Sequence, residues 1–447
     1  MAACAATWSA LQNVTPWWRA DLRQTFFAVV VASETEFRAN ARLLLRAIVV
    51  TLKSQRNTNT RFLLRAVVVA APLADAGKKL EIDETKWISV GIGTRGSFSS
   101  VEDASPSGDD WDNDFNLDSA RVYVNGQITE IIKFELNTEC TFCGNSDLED
   151  YDILDAIVKF DINPAFNIWA GRLLVPADRA EMSGPYYANV YDFNKTPFFP
   201  ADYSVKFGNG GAGVYGRDHG VTFWGGLGEE ARFTYAAGVF NGFQDGPNQD
   251  DNLLFGGRLS YNFLDVEKNP GYYTSSTYFG NGGDILTVAI AAQYQEDGAG
   301  TELDPADFTA ITTDLLFEKV LGGGGVITVE GEYKNFDTDL SDAALNAADC
   351  FCLFSGEAVM GTALYMFPAE IGIGKFQPYV RYTKNDPDES DDRDEVEAGV
   401  NYIIDGHNAR ISAFYQYGDI ATKGLNYTPN AAGDDVSAIK IGVQIQL

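Results

Sequence analysis

From residue 86 to the C-terminus, short segments in which apolar and polar residues alternate follow one another, with turn signals between them. Such alternation places one kind of side chain on each face of a β-strand, and it does not fit the 3.6-residue period of a helix. Sixteen segments, an even number, show the pattern: 86–98, 117–125, 128–138, 155–162, 166–174, 218–226, 231–240, 253–264, 284–295, 307–319, 325–336, 356–367, 375–384, 395–404, 408–417 and 436–447.

The connections between these segments alternate in length. The first, third and later odd connections are long and mostly acidic, whereas the even ones are short, as at Asn125–Gly126 and Asn163–Pro164; only 265–283 breaks the rule. A soluble sandwich has no reason to sort its loops in this way, but short turns at one end and long loops at the other are typical of bacterial outer-membrane barrels. We therefore predict an all-β fold, a transmembrane antiparallel β-barrel of about 16 strands.

The last segment gives the clearest assignment of the two faces. Ile439, Ile441, Val443, Ile445 and Leu447 alternate with Lys440, Gly442, Gln444 and Gln446. Lipid contact explains the apolar face, and a wide aqueous lumen explains the polar one, because side chains no longer fill a barrel of this size. The aromatic residues, Trp169 and Trp224 among them, are expected mainly on the outer face.

A long insertion, residues 175–217, separates the fifth and sixth segments. It is rich in aromatic residues and punctuated by proline, unlike a solvated linker. Loops of this length within a compact domain are usually functional. We predict that this third loop folds into the lumen and narrows it.

Strand alternation also predicts which charges line the lumen. Ten basic residues are predicted to point inward, against seven acidic ones, so we expect the lumen to have a slight preference for anions. An alternative is that these charges form ion pairs across the lumen and serve only to keep it hydrated. The predicted constriction and selectivity residues are Arg172, Asp178, Arg179, Glu181, Arg217, Arg232, Arg258, Lys334 and Arg381.

The charge balance narrows the choice of partners. A formal net charge of −30 makes nucleic acid an unexpected ligand, and no sequence motif calls for a metal or a cofactor. The acidic run 386–397 is expected to be a solvated outer loop; the alternative is a site for divalent cations that bridge lipopolysaccharide. Membrane lipid, lipopolysaccharide and small anionic solutes are thus the expected partners.

The first 76 residues differ from the rest. A basic stretch, 53–61, precedes an apolar core, 62–73, and Ala74-Asp75-Ala76 then resembles a signal-peptide cleavage site. We predict an N-terminal extension plus signal peptide over 1–76, cleaved after Ala76, and a barrel domain over 77–447. Translation is expected to begin nearer Leu52, and the alternative is a genuine N-terminal extension.

Four cysteines lie in two close pairs, Cys140 with Cys143 and Cys350 with Cys352. In an oxidising compartment such pairs are most simply local disulfides. Free thiols and a four-thiolate metal site are the alternatives, although the spacing fits no zinc pattern well.

Three stretches carry a family resemblance: GRLLVP (171–176), YGRDHGVTFWG (215–225) and PGYYTSSTYFG (270–280). With them, most of 77–447 resembles the phosphate-selective porin O and P family. The resemblance implies a trimeric, sixteen-stranded outer-membrane porin whose third loop folds into the pore. The basic ladder and lysine cluster of that family have no residue-by-residue match here, so the solute stays open.

Three functions fit these predictions. The first, and the one that we favour, is passive diffusion of small, anion-leaning hydrophilic solutes through a porin that is not an enzyme. The second is a barrel that sheathes a partner such as a multihaem cytochrome. The third is an outer-membrane enzyme, which would have to use His219 or His407 with a serine.

Overall fold

The computed structural model describes residues 78–141, 143, 149–203, 212–423, 427–429, 431, 433 and 435–447. The predicted N-terminal extension, signal peptide and cleavage after Ala76 lie outside these residues and stay predictions.

Strands account for most of the described chain, as the alternating pattern predicts. The elements in order are β1 (Lys78–Glu81), β2 (Trp87–Val101), β3 (Asp112–Gln127), β4 (Ile132–Thr141), β5 (Asp150–Asn163), β6 (Phe166–Leu174), α1 (Arg179–Tyr187), β7 (Arg217–Leu227), β8 (Phe233–Phe240), β9 (Leu254–Asn262), β10 (Ile285–Thr301), β11 (Asp304–Val320), β12 (Val326–Asp337), α2 (Asp342–Leu345), β13 (Gly356–Met366), β14 (Lys375–Pro387), β15 (Arg393–Asp405), β16 (Ala409–Asp419) and β17 (Asp435–Gln446).

Sixteen of these strands, β2 to β17, close into one antiparallel barrel. Each strand pairs with the next, including β9 with β10 through Tyr261 and Val288, and β17 returns to β2 through the pair Ile441 and Phe98. The short strand β1 only folds back on β2. Each predicted segment overlaps one barrel strand, so the predicted fold class and strand number are confirmed.

The two faces of β17 follow the predicted alternation. Ile439, Ile441, Val443 and Ile445 are between 41 and 50 % exposed on the outside, whereas Gln444 on the inside is fully buried. The barrel therefore carries an apolar outer face, and its polar inner face is covered by other parts of the chain.

The main cover is the insertion between β6 and β7, residues 175–216, which we term the lumen insertion. Its helix α1 is buried over Arg179–Tyr186 and begins at Asp178, whose carboxylate accepts a hydrogen bond from the Glu181 amide at 3.0 Å. Gly184, with φ of 62°, interrupts the helix. The prediction that the third loop folds into the lumen is confirmed. No helix in the described part of the chain is long and apolar enough to cross a membrane.

A second segment enters the lumen from the opposite end. It is the long connection between β9 and β10, residues 263–284, which we term the second insertion. The Ser276 amide donates to the Tyr187 carbonyl at 3.0 Å, and the Ser276 hydroxyl donates to Glu330 of β12 at 2.9 Å. The two insertions therefore meet inside the barrel, which the loop pattern did not predict.

Two tryptophans of the barrel strands point into the lumen because the two insertions fill it. Trp169 and Trp224, predicted on the outer face, both point inward; their rings lie edge to face with centroids 5.4 Å apart, and Trp169 is 2 % exposed. Tyr272 and Tyr273 of the second insertion pack against the Trp169 ring. The prediction was wrong because the lumen beside β6 and β7 is a packed core rather than water.

Candidate pore constriction

Arginines of the far barrel wall hold the middle of the lumen insertion. Arg410 of β16 donates to the carbonyls of Ala188 at 2.7 Å, Val190 at 3.1 Å and Pro185 at 3.3 Å. A guanidinium group presents several donors in a fixed plane, so one side chain can bind several carbonyls. Arg410 thereby fixes the chain that follows α1.

Arg381 of β14 holds the next few residues. It donates to the carbonyls of Asp192 and Phe193, the latter at 2.7 Å, and forms an ion pair with Glu397 at 2.6 Å.

Glycines on the adjoining wall make room for the aromatic side chains of the insertion. A Cβ atom at Gly442, for example, would lie 2.4 Å from the Tyr191 ring.

The beginning of the insertion is held by a different part of the wall. Arg258 of β9 donates to the Ala177 carbonyl at 2.9 Å and pairs with Asp314 of β11. Gln293 of β10 donates to the Pro176 carbonyl at 3.1 Å. The insertion is therefore fixed to β9 and β10 at its beginning and to β14 and β16 at its middle, and it crosses the lumen.

A buried charge cluster lies where α1 begins. Lys334 of β12 lies 2.8 Å from a carboxylate oxygen of Asp178 and 3.3 Å from Glu332, and both Lys334 and Asp178 are fully buried. Burial alone would raise the pKa of Asp178, but the charge of Lys334 outweighs it and lowers that pKa to about 2. Asp178 therefore stays ionised as the partner of Lys334.

A second cluster joins two separate loops, the lumen insertion and the connection between β16 and β17. Lys423, between β16 and β17, lies 3.1 Å from Glu181 and 3.3 Å from Asp202. Burial and the charge of Glu181 raise the pKa of Asp202 well above its ordinary value. Of the two carboxyl groups that share Lys423, Asp202 is therefore the one that binds a proton more readily.

Arg179 joins the two insertions. Its guanidinium donates to both carboxylate oxygens of Glu267, at 2.6 and 2.8 Å, and to the Ser275 carbonyl at 2.8 Å. Asp314 lies 3.3 Å from Nε of the same group. Burial alone would raise the pKa of Glu267, but the charge of Arg179 outweighs it and lowers that pKa to about 2.

Most of the predicted site residues come together around the lumen insertion. Each predicted basic residue of this group has a carboxylate partner; Arg217, for example, lies 3.2 Å from Asp155. The arrangement resembles the predicted alternative in which the charges pair across the lumen. The residues brought together are Asp178, Arg179, Glu181, Arg217, Arg258, Lys334 and Arg381.

Two predicted site residues lie elsewhere. Arg172 points outward, because its register partner His219 is exposed and its neighbour Leu173 is the inward, fully buried residue. The alternation failed on β6 because apolar side chains face the filled lumen there. Arg232 lies before β8 at the short-turn end, where it donates to carbonyls that include Asn262 at 3.3 Å.

The predicted inward excess of basic residues is not found among the buried charges of the described residues. Acidic residues beside the irregular pairing of β4 with β5, such as Glu139 and Asp155, were missed by the alternation. Nine basic and thirteen acidic residues are buried: Arg95, Arg121, Arg179, Arg217, Arg258, Lys334, Arg381, Arg393 and Arg410, against Glu139, Asp155, Asp178, Glu181, Asp202, Asp218, Asp314, Glu318, Glu330, Glu332, Glu395, Glu397 and Asp419.

Two arginines differ from the others in having no acidic partner. Neither Arg95 nor Arg410 forms an ion pair with a described carboxylate, and Nε of each is buried without a hydrogen-bond partner. Arg95 lies 4.1 Å from the Tyr191 ring and lines an open cavity of about 420 Å³ with Lys195 and Lys423. Sequence reasoning missed Arg95, although outward Val90 and Ile92 in the same strand would have placed it inward.

Solvent reaches the lumen on the opposite side of the insertion, along β4 and β5. The Lys133 and Asp161 side chains there keep 32 and 25 % exposure and lie 2.8 Å apart. Glu135 and Lys159, one step further in, form a second pair with 14 and 11 % exposure. This polar strip is the most hydrated lumen wall among the charged pairs described.

The cysteines pair as the sequence suggested. Cys140 is bonded to Cys143 and Cys350 to Cys352 in the structure. The second pair lies in the loop between β12 and β13, where the Phe351 amide and carbonyl pair with those of Gly300. The oxidised state of both pairs in the cell stays a prediction.

No family model and no curated protein match the chain. Solved structures do. An anion-selective porin from Comamonas acidovorans is 12 % identical over 81 % of this chain and 100 % of its own, with a TM-score of 0.51. OmpF of Salmonella typhi, in complex with daunomycin, is 11 % identical over 83 % of this chain and 100 % of its own, with a TM-score of 0.50. At these identities the likeness concerns the fold alone, and it is that of a bacterial outer-membrane porin barrel.

Proposed function

We propose that the protein is a porin of the bacterial outer membrane and that it lets small hydrophilic solutes diffuse passively. The observation that carries the proposal is a closed sixteen-stranded barrel, apolar outside, whose lumen is narrowed by an insertion fixed to both walls. A segment that crosses the bore limits the size of solutes that pass. The hydrated strip of Lys133, Glu135, Lys159 and Asp161 forms part of the route.

We further propose that the route favours anions, phosphate and other oxyanions among them. Support comes from Arg95 and Arg410, the buried guanidinium groups without acidic partners among the described residues, and from the cavity that Arg95 lines with Lys195, Lys423 and Asp192. An unpaired buried cation attracts anions more strongly than a paired one, because no neighbouring carboxylate cancels its field. Phosphate itself, like the trimeric state, rests on the family resemblance.

Planar-bilayer recordings in a salt gradient test both parts of the proposal. We expect stepwise conductance and a reversal potential of the sign for anion preference. Arg95→Gln should move that potential towards zero, whereas Lys86→Gln, a change at an exposed lysine outside the barrel wall, should leave it unchanged. A clear cation preference of the wild type would reject the anion part, and absence of conductance would reject the channel.

The structure bears on the two competing functions. A barrel that sheathes a partner needs an open lumen, whereas here two insertions meet inside it. For an enzyme, His407 hydrogen-bonds the Thr277 carbonyl at 2.9 Å inside the barrel. His219 lies on the outer face, but its ring contacts Arg172 and has no hydrogen bond to a described serine. We therefore propose a channel rather than an enzyme.

A further inference from the structure

A small polar patch interrupts the outer wall of the barrel near the long-loop end. It comprises Arg172 of β6, His219 of β7 and Asn241, which follows β8. Arg172 and His219 are register partners, and the Asn241 amide donates to the His219 carbonyl at 3.0 Å, so the three residues form one transverse row. With Ile153, Ala156 and two glycines they line an open concavity of about 470 Å³.

The donors of this row are only partly used within the protein. Arg172 donates Nη1 to the Ile153 carbonyl at 2.8 Å and Nε to His219 Nε2 at 3.2 Å, and its Nη2 has no partner among the described residues. Because Nε2 of His219 accepts a hydrogen bond, the neutral ring carries its hydrogen on Nδ1 and can donate there. Two donors are thus left for an oxygen-rich ligand.

Among the described residues, no carboxylate lies within ion-pair distance of Arg172. Asp218, which precedes His219 on the neighbouring strand β7, points inward. Its two carboxylate oxygens accept hydrogen bonds from the backbone amides of His219 and Gly242, both at 2.6 Å. A cation on the outer wall of a membrane barrel is costly unless a counter-charge covers it. Charge-assisted hydrogen bonds from a guanidinium to phosphate oxygens are strong, and Nη2 of Arg172 is placed to donate one, which makes phosphate a fitting counter-charge.

The wall next to the patch, on the side of the short turns, is wholly apolar. The first row is Val158, Ala170, Val221 and Val239, and the second is Phe160, Ile168, Phe223 and Ala237. Val158 and Phe223 are 46 and 37 % exposed. A ligand whose phosphate sits on Arg172 would therefore lay an apolar tail on these rows.

We propose that Arg172, His219 and Asn241 form a site for the phosphate of a membrane lipid, whose acyl chains cover the two apolar rows. The site rests on the proposed function, because it requires the barrel to be embedded in a membrane. The phosphate belongs to either a glycerophospholipid or the lipid A part of lipopolysaccharide, since both join a phosphate to acyl chains.

Native mass spectrometry of the full chain in detergent tests the site. Delipidated protein is titrated with phosphatidylglycerol and with a diacylglycerol of the same chains, and a second pair of titrations uses lipid A with and without its phosphates. We expect the phosphorylated member of at least one pair to bind more tightly. Loss of one charge-assisted contact in Arg172→Gln should weaken that binding about tenfold. His219→Gln should weaken it less, and Lys319→Gln, at the short-turn end, should not change it.

Other outcomes overturn the site. Equal binding of phosphorylated and phosphate-free lipid, or unchanged binding by Arg172→Gln, would reject it. Displacement by millimolar inorganic phosphate would assign the patch to a free anion, and dissociation of an oligomer by Arg172→Gln with lipid binding unchanged would assign it to a second copy of the chain. Conductance of the same variant separates the two proposals: a conducting channel without phosphate-dependent lipid binding rejects only the site.

Discussion

Arg179 of the lumen insertion donates two hydrogen bonds to Glu267 of the second insertion, at 2.6 and 2.8 Å. The two residues are 88 positions apart, and they reach the contact from opposite ends of the barrel. The side chain of Arg179 is 1 % exposed and that of Glu267 is 7 % exposed. This pair therefore ties the two narrowing segments to each other rather than to the wall alone.

Glu267→Gln should loosen the second insertion and raise single-channel conductance. The change leaves Arg179 buried with Asp314 as its remaining acidic partner, and breaking a buried ion pair costs about 3–5 kcal/mol. Urea unfolding in detergent or vesicles measures the loss, and bilayer recording measures the conductance. Glu370→Gln, at an exposed position between β13 and β14, is the matched control. If Glu267→Gln has the stability and the conductance of the wild type, the prediction is contradicted.

The same carboxylate predicts a pH dependence of stability. The pKa of Glu267 is lowered from its ordinary value of 4.5 to about 2 in the folded protein. A lowered folded-state pKa means that the stabilisation is complete above about pH 4.5 and is lost as the pH falls towards 2. The shift corresponds to roughly 3 kcal/mol. The unfolding midpoint of the wild type should therefore fall over this window more steeply than that of Glu267→Gln, and parallel curves would contradict the prediction.

Arg410→Gln should release the middle of the lumen insertion. The substitution removes the donors to three carbonyls between Pro185 and Val190, and a glutamine amide can replace at most two of them. Conductance should rise and become noisier. Arg410→Lys should not restore the wild-type trace, since an ammonium group lacks the planar fork. Full rescue by lysine would show that charge alone holds the insertion.

Lys334→Met should be strongly destabilising, by about 3–5 kcal/mol, because it leaves Asp178 and Glu332 buried without their cation. The triple variant Asp178→Asn, Glu332→Gln, Lys334→Met should recover a large part of that loss, since no unpaired charge remains. A mutant cycle of unfolding free energies measures the coupling. If the triple variant is no more stable than Lys334→Met, the cluster does not act as a unit.

The cysteine pairs should resist alkylation until the protein is reduced. Native protein treated with iodoacetamide is expected to gain no mass at Cys140, Cys143, Cys350 or Cys352, and to gain four adducts after denaturation with a reductant. Peptide mass spectrometry assigns the adducts. Modification of the unreduced protein at these positions would favour the free-thiol alternative.

The barrel could be predicted from the sequence because strand alternation and loop parity are local signals. The face of β6 could not be predicted in the same way. Trp169 and Leu173 point inward only because the lumen insertion turns that part of the lumen into a core, and the insertion is not a local property of β6. Arg172 was assigned inward for the same reason.

Contacts made by loops were harder still to predict. Lys423 and Glu267 carry no pattern in their own segments, and their roles depend on partners 242 and 88 residues away. The acidic half of the lumen was underestimated because Asp155 and Glu139 lie where β-bulges or loops end the regular alternation. The predicted residues Arg179, Arg258, Lys334 and Arg381 flank or face the insertion, and their role in constriction and selectivity stays a prediction.

The entry of the second insertion from the short-turn end has a consequence for transport. Withdrawal of the lumen insertion towards the outside of the cell would still leave residues 274–277 in the passage, packed against Glu318 and Glu330 of the wall. Free flow would then require motion at both mouths, one open to the medium and the other to the periplasm. The permeability of the proposed channel would therefore depend on conditions on both sides of the membrane, in the medium and in the periplasm.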